Sequence, residues 1–293
     1  MTISIVSGNR GSFTDKSGSV TWTGLAPAAN FTANNYGLAV IVIDNPGAQE
    51  GETNDISLTD SKGNQWVKAR EQADANTAAA TGVSCAIFTA KLLNGLLTTD
   101  TLSFDFNSQS VAAKGAGIAE LSVGAGNALV LSGSNGTNAD AVTSYSVVLS
   151  ALSNIPHLYL GVASAENEVD ATVTLDAAYS ALAFGSIGSG TGGTAISNVL
   201  ARAGTLAATS TGDTFNATVS ASDRATILAA FHEAADSVSA NVSVTGNAAL
   251  TGTGLVSISG KANISPSGAA TLVSVGSPTE RGDANTFPTG LSG

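Results

Sequence analysis

The sequence predicts an all-β fold: an antiparallel β-sandwich followed by a low-complexity, β-rich extension. Three observations carry this. Apolar and polar residues alternate with period two in many short runs. Clusters of Gly, Asn, Ser and Asp separate those runs. No long segment carries a 3.6-residue apolar stripe with helix caps. In order along the chain, "SVTWTG" (19–24), "LAVIVI" (38–43), "CAIFTAKL" (85–92), "DTLSFDFN" (100–107), "HLYLGVAS" (157–164), "TVTLD" (172–176), "NVLARA" (198–203), "TFNATVS" (214–220) and "TILAAF" (226–231) read as strands. In "DTLSFDFN" the residues Leu102, Phe104 and Phe106 face one way and Ser103, Asp105 and Asn107 the other. "NTAAATG" (76–82) has room for one helical turn but too few large apolar residues to dock it.

Between two apolar-alternating runs lies "ISLTDSKGNQWVKA" (56–69). Asp60 suits the first position of a type I turn, where its carboxylate accepts a bond from the backbone two residues on. Ser61 and Lys62 occupy the centre. Gly63 supplies a left-handed residue, as in a three-residue hairpin with a G1 bulge. Asn64 and Trp66 begin the return strand. The rival reading, an acidic site at Asp60, has no second carboxylate or histidine close by in sequence.

The chain also reads as internally duplicated. "GLAVIVIDN" (37–45) parallels "HLYLGVASAEN" (157–167), an apolar strand ending in an acid and Asn. "FTAK" (88–91) parallels "VLAR" (199–202), "TTDTLSFDF" (98–106) parallels "TGDTFNATV" (211–219), and "AGIAE" (116–120) parallels "AAFHE" (229–233). Each half is expected to supply a few strands, and the two to close into one sandwich.

With "TANNYGLAVIVI" and "ISLTDSKGNQW" in view, the chain resembles the jelly-roll-type sandwich modules of bacteriophage tail-fibre and decoration proteins and of some bacterial surface proteins. Their pattern is an apolar strand, a "VTDSxGNxW" hairpin, a "GDTVTVTF"-like strand, an "AEYSG"-like strand and a looser second copy ending in "LAAF". Matching segments stand here at 37–43, 57–66, 99–106, 119–124 and 226–231, so the resemblance spans roughly residues 18 to 233. It implies a jelly-roll-like sandwich and a virion-surface role, and it brings no shared catalytic residues. The chain departs from the pattern at "IAELSVGAGNA", where an aromatic often follows the Glu.

Composition limits the partners. Of 293 residues only 11% are charged, against about a quarter in a typical globular chain. The net charge is −11, and the nearest thing to a basic cluster is Lys68 with Arg70, which disfavours nucleic-acid phosphates. A single cysteine, Cys85, rules out a disulfide framework and a Cys-rich metal site, and it reads as a small buried hydrophobe. "MTISIVSGNRG" lacks the cationic start and apolar core of a Sec signal peptide. The longest apolar run, "LAVIVI", is far shorter than the roughly 20 residues of a spanning helix, so no membrane span is expected.

Candidate sites are few. The loop "DNPGAQEGETND" (44–55) carries Asp44, Glu50, Glu52 and Asp55, oxygen ligands of the kind Ca²⁺ takes, though the spacing is not an EF-hand and an exposed acidic loop is the plainer reading. His157 and His232 lie at strand edges, 75 positions apart. No G-x-S-x-G, P-loop or H-E-x-x-H occurs. Arg281-Gly282-Asp283 is a three-residue match of a kind common by chance. Sugar platforms need exposed aromatics, and beyond Phe the chain offers only Trp22, Trp66, Tyr36, Tyr145, Tyr159 and Tyr179. No residue is assigned as catalytic, cofactor-binding or metal-ligating, and no enzyme activity or cofactor is expected.

From about Ala234 the composition changes to Ser, Thr, Gly, Ala, Val and Asn. "ANVSVTG" (240–246) recurs as "ANISPSG" (262–268), and "LVSISG" (255–260) as "LVSVG" (272–276). A domain boundary is set at 235/236. The extension 236–293 spreads its valines, leucines and isoleucines too thinly to enclose a core, and so reads as a segment for oligomerisation (a trimer, by family analogy) or for anchoring to other virion proteins of capsid or tail. The expected function is a non-enzymatic phage structural protein on the virion exterior. The alternative is a carbohydrate-binding module that recognises a host-surface glycan.

Overall fold

The computed structural model describes residues 3–15, 18–44, 50–75, 82–111, 113–166, 173–188 and 199–235. The chain divides into a unit Met1–Asp236 and a unit Ser237–Gly293. The extension, the possible helical turn at 76–81 and the Arg281-Gly282-Asp283 triplet lie outside the described residues.

Fifteen strands are described: β1 (Ser4–Asp15), β2 (Thr21–Leu25), β3 (Tyr36–Asp44), β4 (Gly51–Glu52), β5 (Ser57–Asp60), β6 (Trp66–Ala75), β7 (Gly82–Lys91), β8 (Leu102–Asp105), β9 (Lys114–Ser122), β10 (Asn127–Leu149), β11 (Ile155–Glu166), β12 (Thr174–Leu175), β13 (Ser180–Gly188), β14 (Val199–Ser210) and β15 (Asp213–Ala235). The fold is all-β, and the strand pairings are antiparallel.

The duplication is visible in the strand order. One sheet runs β1-β9-β3-β7-β6-β4, and another runs β10-β15-β11-β14-β13. Numbered from the start of each half, these are the same order, with β1, β9, β3, β7 and β6 corresponding to β10, β15, β11, β14 and β13. The small outer layers correspond too. In the first half β2-β8-β5 form a three-stranded sheet. In the second half the 23-residue strands β10 and β15 bend, with register shifts between Ala139 and Ser144, and their far ends pair with each other and with β12.

Each half is therefore a sandwich in its own right, and the two pack back to back. The two large sheets, one from each half, face each other across a shared core, so the halves do close into one sandwich as expected, with a smaller layer added outside each sheet. Strands β3, β7 and β11 are buried nearly throughout, as strands covered on both faces must be. Their alternate residues feed three cores. Leu38, Val40, Val42, Cys85 and Ile87 meet Leu158, Leu160, Val162, Ile227 and Phe231 at the centre, between the two large sheets. Ala39, Ile41 and Ile118 meet Trp22, Leu58, Leu102 and Phe104 inside the first sandwich. Tyr159, Ala163 and Leu228 meet Tyr145, Val147, Val173, Tyr179 and Phe215 inside the second. Cys85 is fully buried, and burial pushes its thiol up to about 12.

Pairing registers test the sequence parallels. Leu38 lies opposite Ala119, and Leu158 lies opposite Phe231. Leu58 lies opposite Phe104, and Leu175 opposite Ala217, so "TTDTLSFDF" and "TGDTFNATV" correspond in register. "AGIAE" and "AAFHE" are slipped by one residue, since Ala119, not Ile118, is the counterpart of Phe231. "FTAK" and "VLAR" sit on equivalent strands in the wrong register: Phe88 pairs with Ala39, whereas Tyr159, the counterpart of Ala39, pairs with Leu206.

The 57–66 stretch is a turn, as its residues predict. The Asp60 carbonyl accepts from Gly63 N at 3.2 Å, and Gly63 has φ +74°. Asp60 Oδ1 accepts from Lys62 N (2.8 Å) and Asn64 N (3.1 Å). Its Oδ2 accepts from Asn64 Nδ2 (3.0 Å) and Trp66 Nε1 (2.8 Å). The turn is not a hairpin, however. β5 pairs with β8 in the outer sheet, and β6 pairs with β7 in the large sheet, so Asp60 ties a corner where the chain changes layers.

Candidate functional site

Charged side chains are scarce in this chain, so the buried ones mark where the fold spends free energy. Four buried acids gather at one end of the central interface. Asp44 ends β3 and Glu166 ends β11, the positions where the sequence parallel places an acid before Asn in both halves. Asp74, near the end of β6, and Asp223, in β15, complete the group. All four lie no more than 9% exposed.

The geometry binds one sandwich to the other. Glu166 Oε2 accepts from Gly82 N of β7 at 2.9 Å. Asp74 Oδ2 accepts from Arg224 N at 2.9 Å, and its Oδ1 accepts from Asn138 Nδ2 at 3.3 Å. Asn138 Oδ1 in turn accepts from Gln72 Nε2 at 2.8 Å. Burial, with the neighbouring Asp223 and Asp44 charges, pushes Glu166 up to about 8, and burial raises Asp44 to about 6. Glu166 therefore holds a proton at neutral pH. Protonation removes the repulsion between neighbouring carboxylates, which is how several acids share one dry space. Among the described residues no group of three or more His, Cys, Asp or Glu side chains is placed to hold a metal ion.

The acidic loop of the sequence does not assemble. Asp44 is buried at the interface, while Glu52 pairs with Arg70 at 3.1 Å. Asp55 accepts from Asn107 Nδ2 at 3.2 Å, and Glu50 is exposed. Residues 45–49 lie outside the described residues. Beside the loop is a polar groove of about 360 Å³ lined by Glu52, Thr53, Asn54, Lys68, Ala69, Arg70 and Glu71. A β-bulge between Lys68 and Arg70 shapes it. Buried Glu71 is spent on structure there: it accepts from Thr53 Oγ1 (2.7 Å), Asp55 N (3.0 Å), Ile56 N (3.0 Å) and Lys68 Nζ.

His157 and His232, far apart in sequence, come together on β11 and β15 with ring centroids 6.0 Å apart. His232 Nδ1 and Ser132 Oγ share a hydrogen bond of 2.7 Å. Burial first, and then the neighbouring His232, lower the pKa of His157. Sequence spacing gave no sign of this pair, because antiparallel pairing joins positions that the intervening β12–β14 segments separate.

The aromatic side chains are core. Trp22, Tyr36, Tyr145, Tyr159 and Tyr179 are 6% exposed or less, and Trp66 is half-buried with its Nε1 on Asp60. Among the described residues no helix is long and apolar enough to cross a membrane. No protein-family model, no curated protein and no solved structure matches the chain.

Proposed function

We propose that the chain is a non-enzymatic structural protein of the bacteriophage virion exterior, a head decoration or fibre protein or a tail-fibre component. The observation that carries this reading is the back-to-back pair of sandwiches with one strand order, read with the resemblance to virion-surface modules. Duplication has been used to cover both faces of two large sheets. The buried polar side chains support the same role: Asp60, Glu71 and Asp74 all accept from backbone N–H groups at corners and strand ends. Residues 236–293 supply oligomerisation, with a trimer expected by analogy, or attachment to capsid or tail proteins. Such a protein needs no catalytic residue and no cofactor. Mass spectrometry of gradient-purified particles tests it: the chain should co-purify at a fixed copy number per particle, and its absence from particles would end the proposal.

A second reading, recognition of a host-surface glycan, has the groove at Glu52–Glu71 in its favour. Its amide, acid and base side chains suit sugar hydroxyls, although its lining contains no aromatic platform. Glycan-array binding that is lost in Asn54→Ala would support it.

A further inference from the structure

Each half buries one base, and the two are satisfied differently. At the elbow where each ribbon bends from a large sheet into its outer layer stands a fully buried base, Lys114 in the first half and Arg224 in the second. Each base lies beside a strand-end acid, although the two stand two residues out of step in the register that matches Ala119 with Phe231. Lys114 lies opposite Ile43, next to the acid Asp44, and Arg224 lies opposite Ala165, next to the acid Glu166. In the first half the chain supplies an acceptor, since Lys114 Nζ donates to the Val111 carbonyl at 3.0 Å. In the second half Nε, Nη1 and Nη2 of Arg224 are all buried and none has an acceptor.

Alternation along the strands fixes the face on which this cation lies. Ala225 and Ile227 point into the central interface and Leu228 into the second sandwich, so Arg224 and Thr226 point into the second sandwich as well. The Arg224 guanidinium stacks on Tyr145, 4.5 Å from the ring centroid. The Thr226 hydroxyl is buried and also lacks a partner. In register, Ala163 of β11 lies between Thr226 of β15 and Arg202 of β14. Arg202 Nη1 donates to the Val173 carbonyl at 2.9 Å, which places it on the same face, while its Nε has no acceptor. Two guanidinium groups and a hydroxyl thus flank a floor made of Ala163 and Ala165, the smallest side chains that bear a Cβ. Asp223 and Glu166 alternate to the opposite face of the sheet; Asp74 and Asp223 act on the Arg224 charge through space but accept no hydrogen bond from its guanidinium.

A buried guanidinium with no acceptor is strongly unfavourable, and its planar set of N–H donors suits a small anion. Stacking on Tyr145 holds the plane but satisfies no donor. We propose that the elbow of the second sandwich is a binding site for a small monovalent anion of halide size, held by Arg224 with Thr226 and Arg202. The anion serves Arg224 as the Val111 carbonyl serves Lys114, by accepting from a buried cation. Phosphate and sulfate are too strongly hydrated to be drawn to donors that are buried away from water.

The test uses the full chain and two probes, chloride and bromide. At constant ionic strength, replacing gluconate by chloride should raise the melting temperature by about 2–6 °C at concentrations well above the dissociation constant. Arg224→Met should abolish this response and Lys114→Met should leave it intact. If Arg224→Met fails to fold, Thr226→Val and Arg202→Met serve, each weakening the response. Bromide soaked into wild-type crystals should give an anomalous peak between the Arg224 and Arg202 side chains. Equal melting in chloride and gluconate, a response that survives Arg224→Met, or bromide found only elsewhere would each overturn the proposal.

Discussion

Gly161 sits in the middle of β11 opposite Gly204 of β14, and the ring of Phe215 from the outer layer lies directly on it. A Cβ built at Gly161 would stand 2.5 Å from Cε2 and 2.6 Å from Cγ of that ring. The ring has nowhere to go. Phe215 is fully buried and packs edge-on against Tyr179 at a centroid distance of 4.8 Å, and Tyr179 is itself tied by its hydroxyl to Asp213. Overpacking of this kind costs about 1–3 kcal/mol, and the absence of slack places Gly161→Ala near the upper figure. For a unit of this size that is a fall of about 6–12 °C in melting temperature. Differential scanning calorimetry of the full chain reads it directly. Phe215→Leu removes the clashing ring edge, so the double variant should be less destabilised than the two single changes added together, by about 1 kcal/mol or more. A wild-type melting temperature for Gly161→Ala, or strict additivity in the cycle, would refute the close approach of outer layer and sheet on which the second sandwich depends.

Four further outcomes are expected. Gly63→Val, at φ +74°, should cost about 1–3 kcal/mol through backbone strain, measured by urea denaturation; an unchanged midpoint would count against the corner. Asp60→Ala removes four acceptor contacts at that corner and should cost about 2–4 kcal/mol in the same assay. Glu166 is raised from 4.5 to about 8, so the folded chain keeps a proton that the unfolded chain loses; its contribution is fully present below about pH 4.5 and is lost as pH rises towards 8. Glu166→Gln should therefore gain stability over wild type as pH rises from 5 to 8, and a pH-independent difference would contradict the buried acid cluster. Removing residues 236–293 should abolish oligomerisation or particle attachment while the sandwiches stay folded by near-UV circular dichroism; light scattering that gives one mass for both chains, with both still attaching, would refute the role of the extension.

Much of the fold was legible because buried strands carry their own signature. "LAVIVI" is apolar throughout and "HLYLGVAS" is apolar between its end residues, and β3 and β11 are covered on both faces. "DTLSFDFN" alternates, and β8 covers one face of a sheet. β10 was missed because "SGSNGTNADAVTS" is nearly all small and polar; it is an edge strand whose pattern carries little apolar contrast. The corner at Asp60 was read as a hairpin because turn chemistry is local, and which sheet each flanking strand joins is not. The same limit hid the charged clusters. Asp44 and Glu166 were visible as strand-end acids, but their meeting with Asp74 and Asp223 depends on how two whole sheets stack. "FTAK" and "VLAR" show the hazard of reading repeats by composition, since a short apolar run fits several registers of one strand.

We propose that this double sandwich is displayed on the outside of a virion. Immunogold labelling of intact particles, with antibody raised against residues 1–235, tests it most directly. Regular gold at a fixed structure on the particle surface, head or tail, is the predicted result. Unlabelled particles, with the chain found only in the soluble fraction of the producing cells, would contradict it.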